Sequence, residues 1–229
     1  MRACVLFSGG KDSTYALHWA FLKGFDIECL VTLEPRREDS WMFHRPAIAF
    51  TKLQAEALGL PQIYIETSGI KDKELEDLRN ALEIALRKYE VDAIVTGALL
   101  SDYQRMNINL IAEELDLRVF SPLWRKDQAE YMLEVVRMGI RFIITSISAY
   151  GLEPTFLGRI IEESDVHEIV RRARKYGFNP AFEGGEAETL VLDAPLFRHY
   201  RLVVRKGRIV KLGEYTWRYV IEDIGLEEK

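Results

Sequence analysis

FSGGKDS, residues 7–13, lies between two apolar segments, and that position decides the fold. Before it, ACVLF (residues 3–7) is a short run with β-branched and aromatic members, the pattern of a buried strand. After it, STYALHWAFLKG (residues 13–24) carries Tyr15, Leu17, Trp19, Phe21 and Leu22 in a helical segment that Gly24 stops. The two glycines therefore form a strand-to-helix turn. Glycine lets an anion approach the backbone closely, and the first amides of a helix have no partner within it. Those amides and the helix dipole favour a phosphate or pyrophosphate.

The neighbouring side chains sharpen this reading. Lys11 adds a positive charge, and the hydroxyls of Ser8 and Ser13 add donors. Asp12 stands out, because a carboxylate beside a phosphate is repulsive unless a cation lies between them; Mg2+ suits that place. An ordinary tight turn with Asp12 as N-cap, worth about 1 kcal/mol, would account for SGG alone. It does not account for Lys11 and Ser13 in the same turn. The glycine spacing matches neither GxxxxGK[ST] nor GxGxxG. SGGKDS resembles instead the pyrophosphate loop of the N-type ATP pyrophosphatases, a likeness that implies cleavage of ATP between the α and β phosphates.

Working outward, apolar strand patterns recur at DIECLVTL (26–33), PQIYIET (61–67), VDAIVTG (91–97) and RVFSPLW (118–124). Helical patterns separate them: about Ala47 to Leu58, closed by Gly59; KDKELEDLRNALEIALRKYE (71–90), with apolar Leu75, Leu78, Leu82, Ala85, Leu86 and Tyr89; and SDYQRMNINLIAEELDL (101–117). Strand and helix alternate five times. The expected fold is α/β, a five-stranded parallel sheet with helices on both faces. In such sheets ligands sit beyond the carboxyl ends of the strands. This makes Ser8–Ser13, Thr32–Pro35, Gly97–Arg105 and Pro122–Trp124 the informative segments.

Past about residue 125 the rhythm changes. A helix from about Asp127 to Met138, a strand RFIITSISA (141–149), a Gly/Pro-punctuated stretch, a helix around Val166 to Tyr176 and a strand-rich tail follow. Lys206 and Gly207 read as a hairpin turn. Two domains are expected, a nucleotide-binding domain over 1–125 and a smaller α+β substrate domain over 126–229.

Composition bounds the partners. With 229 residues, 48% hydrophobic and 29% charged, the chain reads as a soluble globular protein with ample core. No apolar run is long enough to span a bilayer and no signal-peptide pattern opens the chain, so a cytoplasmic location is expected. Cys4 and Cys29 lie in apolar strand patterns and read as buried small hydrophobes, too few for a zinc or iron–sulfur set. A net charge of −5 argues against stable nucleic-acid binding, and the cluster RRARK (171–175) reads as a solvated helix face. His18, mid-helix among apolar neighbours, reads as packing.

A second informative stretch, NPAFEGGEAETLVLDAP (179–195), gathers Glu183, Glu186, Glu188 and Asp193 around Gly184 and Gly185. Carboxylates so close in sequence repel unless solvent, a metal or a cationic ligand separates them. Taken together, SGGKDS, MFHRP (42–46), GALLSDYQR (97–105), PLW (122–124), Gly151-Leu152 and NPAFEGGEAETLVLDAPLF (179–197) resemble the diphthine–ammonia ligase family over nearly the whole chain. That family's block commonly reads GEGGEYETLVLDAP; here Phe182 replaces the first glycine and Ala187 the aromatic.

The resemblance implies an ATP-dependent ligase that amidates diphthine on elongation factor two with ammonium, through an acyl-adenylate, releasing AMP and pyrophosphate. It implies catalytic roles for Lys11 and Asp12, with Asp12 holding Mg2+. ATP falls to Ser8, Gly9, Gly10, Lys11, Asp12, Ser13, Thr32, Leu33, His44 and Gly97. Substrate falls to Tyr103, Gln104, Arg105, Trp124, Glu183, Gly184, Gly185, Glu186 and Glu188. Diphthine carries a trimethylammonium group, which suits aromatic faces such as those of Tyr103 and Trp124 or the carboxylates of 183–188. No membrane partner is expected, and a homodimer is compatible with the sequence. Two other readings stay open: a base-adenylating tRNA-modifying enzyme, for which a sulfur-carrying cysteine and an RNA-binding face are missing, and an ATP-binding sensor without turnover.

Overall fold

The computed structural model describes residues 1–35, 48–67 and 71–229. The chain divides into two compact units, residues 1–124 and 125–229.

In the first unit, β1 (Arg2–Leu6), β2 (Asp26–Pro35), β3 (Gln62–Thr67), β4 (Ala93–Val95) and β5 (Arg118–Phe120) form a parallel sheet in the order β3-β2-β1-β4-β5. The helices between them are α1 (Lys11–Leu22), α2 (Thr51–Leu58, entered through a 3-10 turn at Ile48–Phe50), α3 (Lys71–Tyr89) and α4 (Asp102–Glu114). Period-two alternation explains the layering. Cys4, Cys29, Val31, Leu33, Ile63 and Ile94 pack against Leu78, Leu82 and Ala85 of α3 and Ile108 and Ile111 of α4. The alternate residues, among them Ala3, Val5, Leu30, Ala93 and Val95, are also buried, and α1 packs on β1, β2 and β4. Both faces are therefore covered, as a parallel sheet requires.

Cys4 and Cys29 are register partners on β1 and β2, fully buried and unoxidised. Burial pushes the Cys29 thiol up to about 12 and that of Cys4 higher still, so neither supplies a thiolate near neutral pH.

The second unit holds α5 (Gln128–Arg137), β6 (Arg141–Ser148), a 3-10 turn at Pro154–Phe156, α6 (Glu163–Tyr176), β7 (Ala187–Asp193), β8 (Tyr200–Lys211) and β9 (Thr216–Glu228). Its four-stranded antiparallel sheet runs β7-β6-β9-β8.

Several expected boundaries move. Strand β5 stops at Phe120, because Trp124 N–H turns back to the Ser121 carbonyl. Helix α6 opens at Glu163 rather than near Val166: Glu162 and Asp165 form a reciprocal capping box that stabilises the extra turn. Lys206 and Gly207 are not a hairpin turn. Strand β8 runs through them with a register shift, and the turn lies at residues 212–215. Gly207 is there because a Cβ would fall 2.5 Å from the Tyr219 ring, so it marks a bulge with close side-chain approach.

Candidate functional site

The turn between β1 and α1 is tied down from three sides. Phe7 N–H continues the ladder to the Val31 carbonyl, and the Thr32 hydroxyl donates to the Phe7 carbonyl at 2.7 Å. Ser13 Oγ donates to the Gly10 carbonyl at 3.2 Å and accepts from Ser8 N–H at 3.3 Å, closing the turn on itself. From α2, fully buried Gln54 donates Nε2 to the Gly9 carbonyl at 2.9 Å. Gly9 has φ +77°, and a Cβ there would sit 2.2 Å from Gln54 Oε1. Glycine is thus required at this position twice over, by backbone conformation and by space.

A second set of hydrogen bonds ties the start of the same helix to the sheet. Gln62, on β3, donates Nε2 to Thr32 Oγ1 at 2.8 Å and Thr51 Oγ1 at 2.9 Å. Thr51 in turn donates to the Ile48 carbonyl at 2.6 Å. Such a chain of buried hydrogen bonds holds the end of β2, the start of α2 and the turn in one geometry. Thr32 therefore positions the turn, and its hydroxyl proton is already committed to Phe7. None of Thr51, Gln54 and Gln62 stood out in sequence. The signal available was two polar residues, Thr51 and Gln54, at helical spacing on the buried face of a short helix.

Gly97, just past β4, presses on the helix start: a Cβ would lie 2.7 Å from the Asp12 carbonyl carbon and 2.8 Å from Ser13 N. The β4 end and the turn are in van der Waals contact through backbone alone. Helix α1 begins at Lys11 with Gly10 as N-cap and no side-chain cap. The Lys11 side chain is only 2% exposed, and its Nζ donates to both oxygens of the Asp12 carboxylate at 2.8 and 2.9 Å. Burial of an ammonium is costly unless it is paired, and Asp12, 29% exposed, supplies the pairing. Lysine, helix dipole and glycine cradle together suit a polyphosphate. One carboxylate at its edge is enough for Mg2+, which takes its other ligands from phosphate and water.

The other ATP-facing expectations fare differently. Leu33 packs in the core against α3 and α4, so only its main chain is left for a ligand. His44 lies outside the described residues, as does the whole of MFHRP. Among the described residues no group of three His, Cys, Asp or Glu could hold a metal by itself.

At the carboxyl end of β4, Ser101 caps α4, its Oγ accepting from Gln104 N–H at 3.3 Å. One turn on, the Arg105 guanidinium lies over the Trp124 ring, 4.6 Å from its centroid, and 3.6 Å from Asp102. A guanidinium on that face repels a second cation and leaves donors for an anion. Arg105 therefore covers the Trp124 face that was expected to meet the trimethylammonium group.

In the second unit the acidic block disperses. The Glu186 carboxylate accepts from Asn179 N–H at 2.8 Å and Gly184 N–H at 2.7 Å, locking its own loop, while its carbonyl accepts from Ser148 N–H at 2.7 Å. Asp193 pairs with Lys229 and accepts from Ala194 N–H. Glu188 lies on β7 opposite Ser146, and Gly184 and Gly185 are exposed at the loop tip. Phe182, which stands where the family block has glycine, has φ +71°. Glycine adopts this left-handed conformation without steric cost. Here a buried phenyl ring, 6% exposed, holds the same backbone at the cost of strain.

Comparison with known proteins follows this division. The family profile described as Diphthamide synthase N-terminal domain matches residues 1–119, and the Diphthamide synthase C-terminal domain matches residues 127–223. A Homo sapiens protein named diphthine–ammonia ligase is 32% identical, covering 92% of this chain and 85% of its own length. The Danio rerio protein of that name is 35% identical over 86% of this chain and 84% of its own. The Schizosaccharomyces pombe one is 32% identical over 92% of this chain but 37% of its own length. A solved structure titled as a predicted subunit of tRNA methyltransferase from Methanocaldococcus jannaschii covers 85% of this chain and 98% of its own at 16% identity and TM-score 0.43. With both family domains matched in order and about a third of its residues shared with full-length relatives, this chain belongs to the diphthamide synthase family.

Proposed function

We propose that the chain is an ATP-dependent diphthine–ammonia ligase acting on elongation factor two. The observation that carries this reading is the pairing of buried Lys11 with Asp12 in a glycine turn at the carboxyl end of a parallel sheet. In the proposed reaction a carboxylate oxygen of diphthine attacks the α phosphorus of ATP. The Pα–O–Pβ bond breaks and pyrophosphate leaves. Ammonia then attacks the acyl carbon, AMP departs and the nitrogen loses a proton.

Negative charge grows on the departing pyrophosphate. Lys11 Nζ and the first amides of α1 stabilise that charge more than they stabilise bound ATP, which is the condition for catalysis. With nucleotide bound, Lys11 would exchange its carboxylate partner for phosphate, and Asp12 would be free to hold Mg2+, whose charge would screen the phosphates from the carboxylate. Ser8, Gly9, Gly10 and Ser13 line the cradle, and Gly97 keeps the helix start in register with it. Arg105, lying over Trp124, receives the carboxylate to be activated, with Tyr103 and Gln104 beside it. The loop of Glu183, Gly184, Gly185, Glu186 and Glu188 contacts the modified factor, with Glu186 setting the loop's shape. In this reading the first unit is the nucleotide-binding domain and the second the substrate domain.

The thiolating alternative is disfavoured by Cys4 and Cys29, whose thiols are buried and protonated. A sensor is separated from an enzyme by turnover. Incubation with diphthine-bearing elongation factor two, ATP and ammonium is expected to yield AMP and pyrophosphate in step with amidation of the factor by mass spectrometry. Formation of ADP, or AMP release that is indifferent to ammonium and factor, overturns the proposal.

A further inference from the structure

The guanidinium on Trp124 raises the question of where a cationic substrate group is received, and the second unit offers an answer that the sequence did not suggest. Tyr150, Tyr176 and Tyr215 form one cluster: Tyr150 meets Tyr176 at 5.1 Å and 78°, and Tyr215 at 5.1 Å and 74°. Rings at near right angles make corners in which one rounded cation faces two π systems at once. Tyr150 is 59% exposed and Tyr215 45%, so the corners open to solvent although the rings support one another.

The cluster is built rather than incidental. Gly151, at φ +90°, is pressed on Tyr176 so closely that a Cβ would lie 2.2 Å from the ring. The Gly151 carbonyl accepts from Arg172 at 3.0 Å, and Arg172 is itself anchored by Glu153 and Glu168. The turn that presents Tyr150 is therefore fixed. Lys175 Nζ lies 5.0 Å from the Tyr176 centroid, which leaves the corner of Tyr150 and Tyr215 for a further cation. The Glu214 carboxylate beside Tyr215 holds its phenol above the usual range and adds negative charge beside the corner.

Strand register sets this cluster beside the acidic loop. Ser148 pairs with Thr216, Ile147 with Ala187, and Ser148 N–H donates to the Glu186 carbonyl at 2.7 Å. Tyr150 lies two residues past Ser148, Tyr215 one before Thr216 and Glu186 one before Ala187. The aromatic cluster and the acidic loop thus lie at one end of the antiparallel sheet. Greasy, permanently charged groups are recognised by that combination, whereas a phosphate or a carboxylate is repelled by it.

We propose that the corners around Tyr150 bind a quaternary ammonium group. The assignment of that group to the trimethylammonium of the diphthine side chain rests on the proposed function; the site itself does not. The two are tested apart. Tetramethylammonium chloride is titrated into the protein at constant ionic strength while tyrosine ring resonances are followed by NMR, with tert-butyl alcohol as an uncharged mimic and sodium chloride as a control. Saturable shifts at Tyr150, Tyr176 and Tyr215 with tetramethylammonium alone are expected. Tyr150→Leu and Tyr215→Leu should each weaken binding roughly fivefold or more, with Tyr150→Phe restoring it. Equal shifts with tert-butyl alcohol would show an apolar patch only, and absence of saturable shifts would likewise overturn the site. In turnover assays the Leu variants should raise KM for the modified factor and leave KM for ATP unchanged. Lost probe binding with unchanged KM for the factor would overturn the assignment to diphthine. If no amidation occurs at all, the proposed function fails while the titration still decides the site.

Discussion

Replacement of Gly97 by alanine tests the site from a position that touches the turn only through backbone. The new Cβ would stand 2.7 Å from the Asp12 carbonyl carbon. That is about 1 Å inside the ~3.5–4.0 Å at which two carbons rest. No flexible side chain lies there to swing aside, so either the end of β4 or the first turn of α1 must move. A displacement of about 1 Å at a reacting centre costs on the order of 100-fold in rate, and overpacking of this kind costs roughly 1–3 kcal/mol of stability. The expected result is a fall in kcat/KM for pyrophosphate release of about two orders of magnitude, equivalent to about 2.7 kcal/mol of transition-state stabilisation.

The control is Gly24→Ala, at the far end of α1. Gly24 has φ +78° and nothing within 4 Å of a Cβ, so only backbone strain of about 1 kcal/mol is added. It should lower the melting temperature and leave turnover alone. Turnover by Gly97→Ala within threefold of the parent, with melting unchanged, would refute the view that this backbone contact sets the geometry of the phosphate cradle.

Other expectations are independent of this one. Lys11→Ala should lower kcat by about 100-fold or more in single-turnover measurements of pyrophosphate release, since its charge acts mainly on the leaving group; a change confined to KM for ATP would contradict that role. At Phe182 the usual order of substitutions should invert: alanine loses roughly 3–5 kcal/mol of packing and keeps the left-handed strain, whereas glycine loses the packing but removes about 1 kcal/mol of strain. Denaturant midpoints with Phe182→Gly less stable than Phe182→Ala would contradict the φ of +71°. Hydrogen bonds from Arg171 and Arg172 hold the Glu168 carboxyl down at about 2. Because the folded value is depressed, that contribution is present above the ordinary carboxylate range and is lost as pH falls from about 4.5 toward 2. Melting temperature should decline over that window, and Glu168→Gln should flatten the decline; identical pH profiles would sink the linkage.

Much of the first unit was legible because its signals are local. ACVLF, SGGKDS and STYALHWAFLKG declare strand, turn and helix within 24 residues, and the alternation that follows carries its own periodicity. The break in that rhythm near residue 125 falls where the chain divides into its two units. Short polar turns were harder. Lys206-Gly207 looked like a hairpin because a strand interior rarely carries that pair, and only the Tyr219 ring across β9 explains the glycine.

What the amino-acid sequence determined by itself was the kind of element at each place and the chemistry of the β1–α1 turn, since burial periodicity and glycine placement act over a few residues. What the tertiary structure alone decided was which distant groups meet there: Gln54 on Gly9, Gln62 between Thr32 and Thr51, Gly97 on Asp12, Arg105 over Trp124, and the three tyrosines around Gly151. Those contacts depend on the strand order β3-β2-β1-β4-β5 and on the register of β6 with β7 and β9. Strand order and register are settled by the packing of whole faces against one another, which no local window of sequence contains.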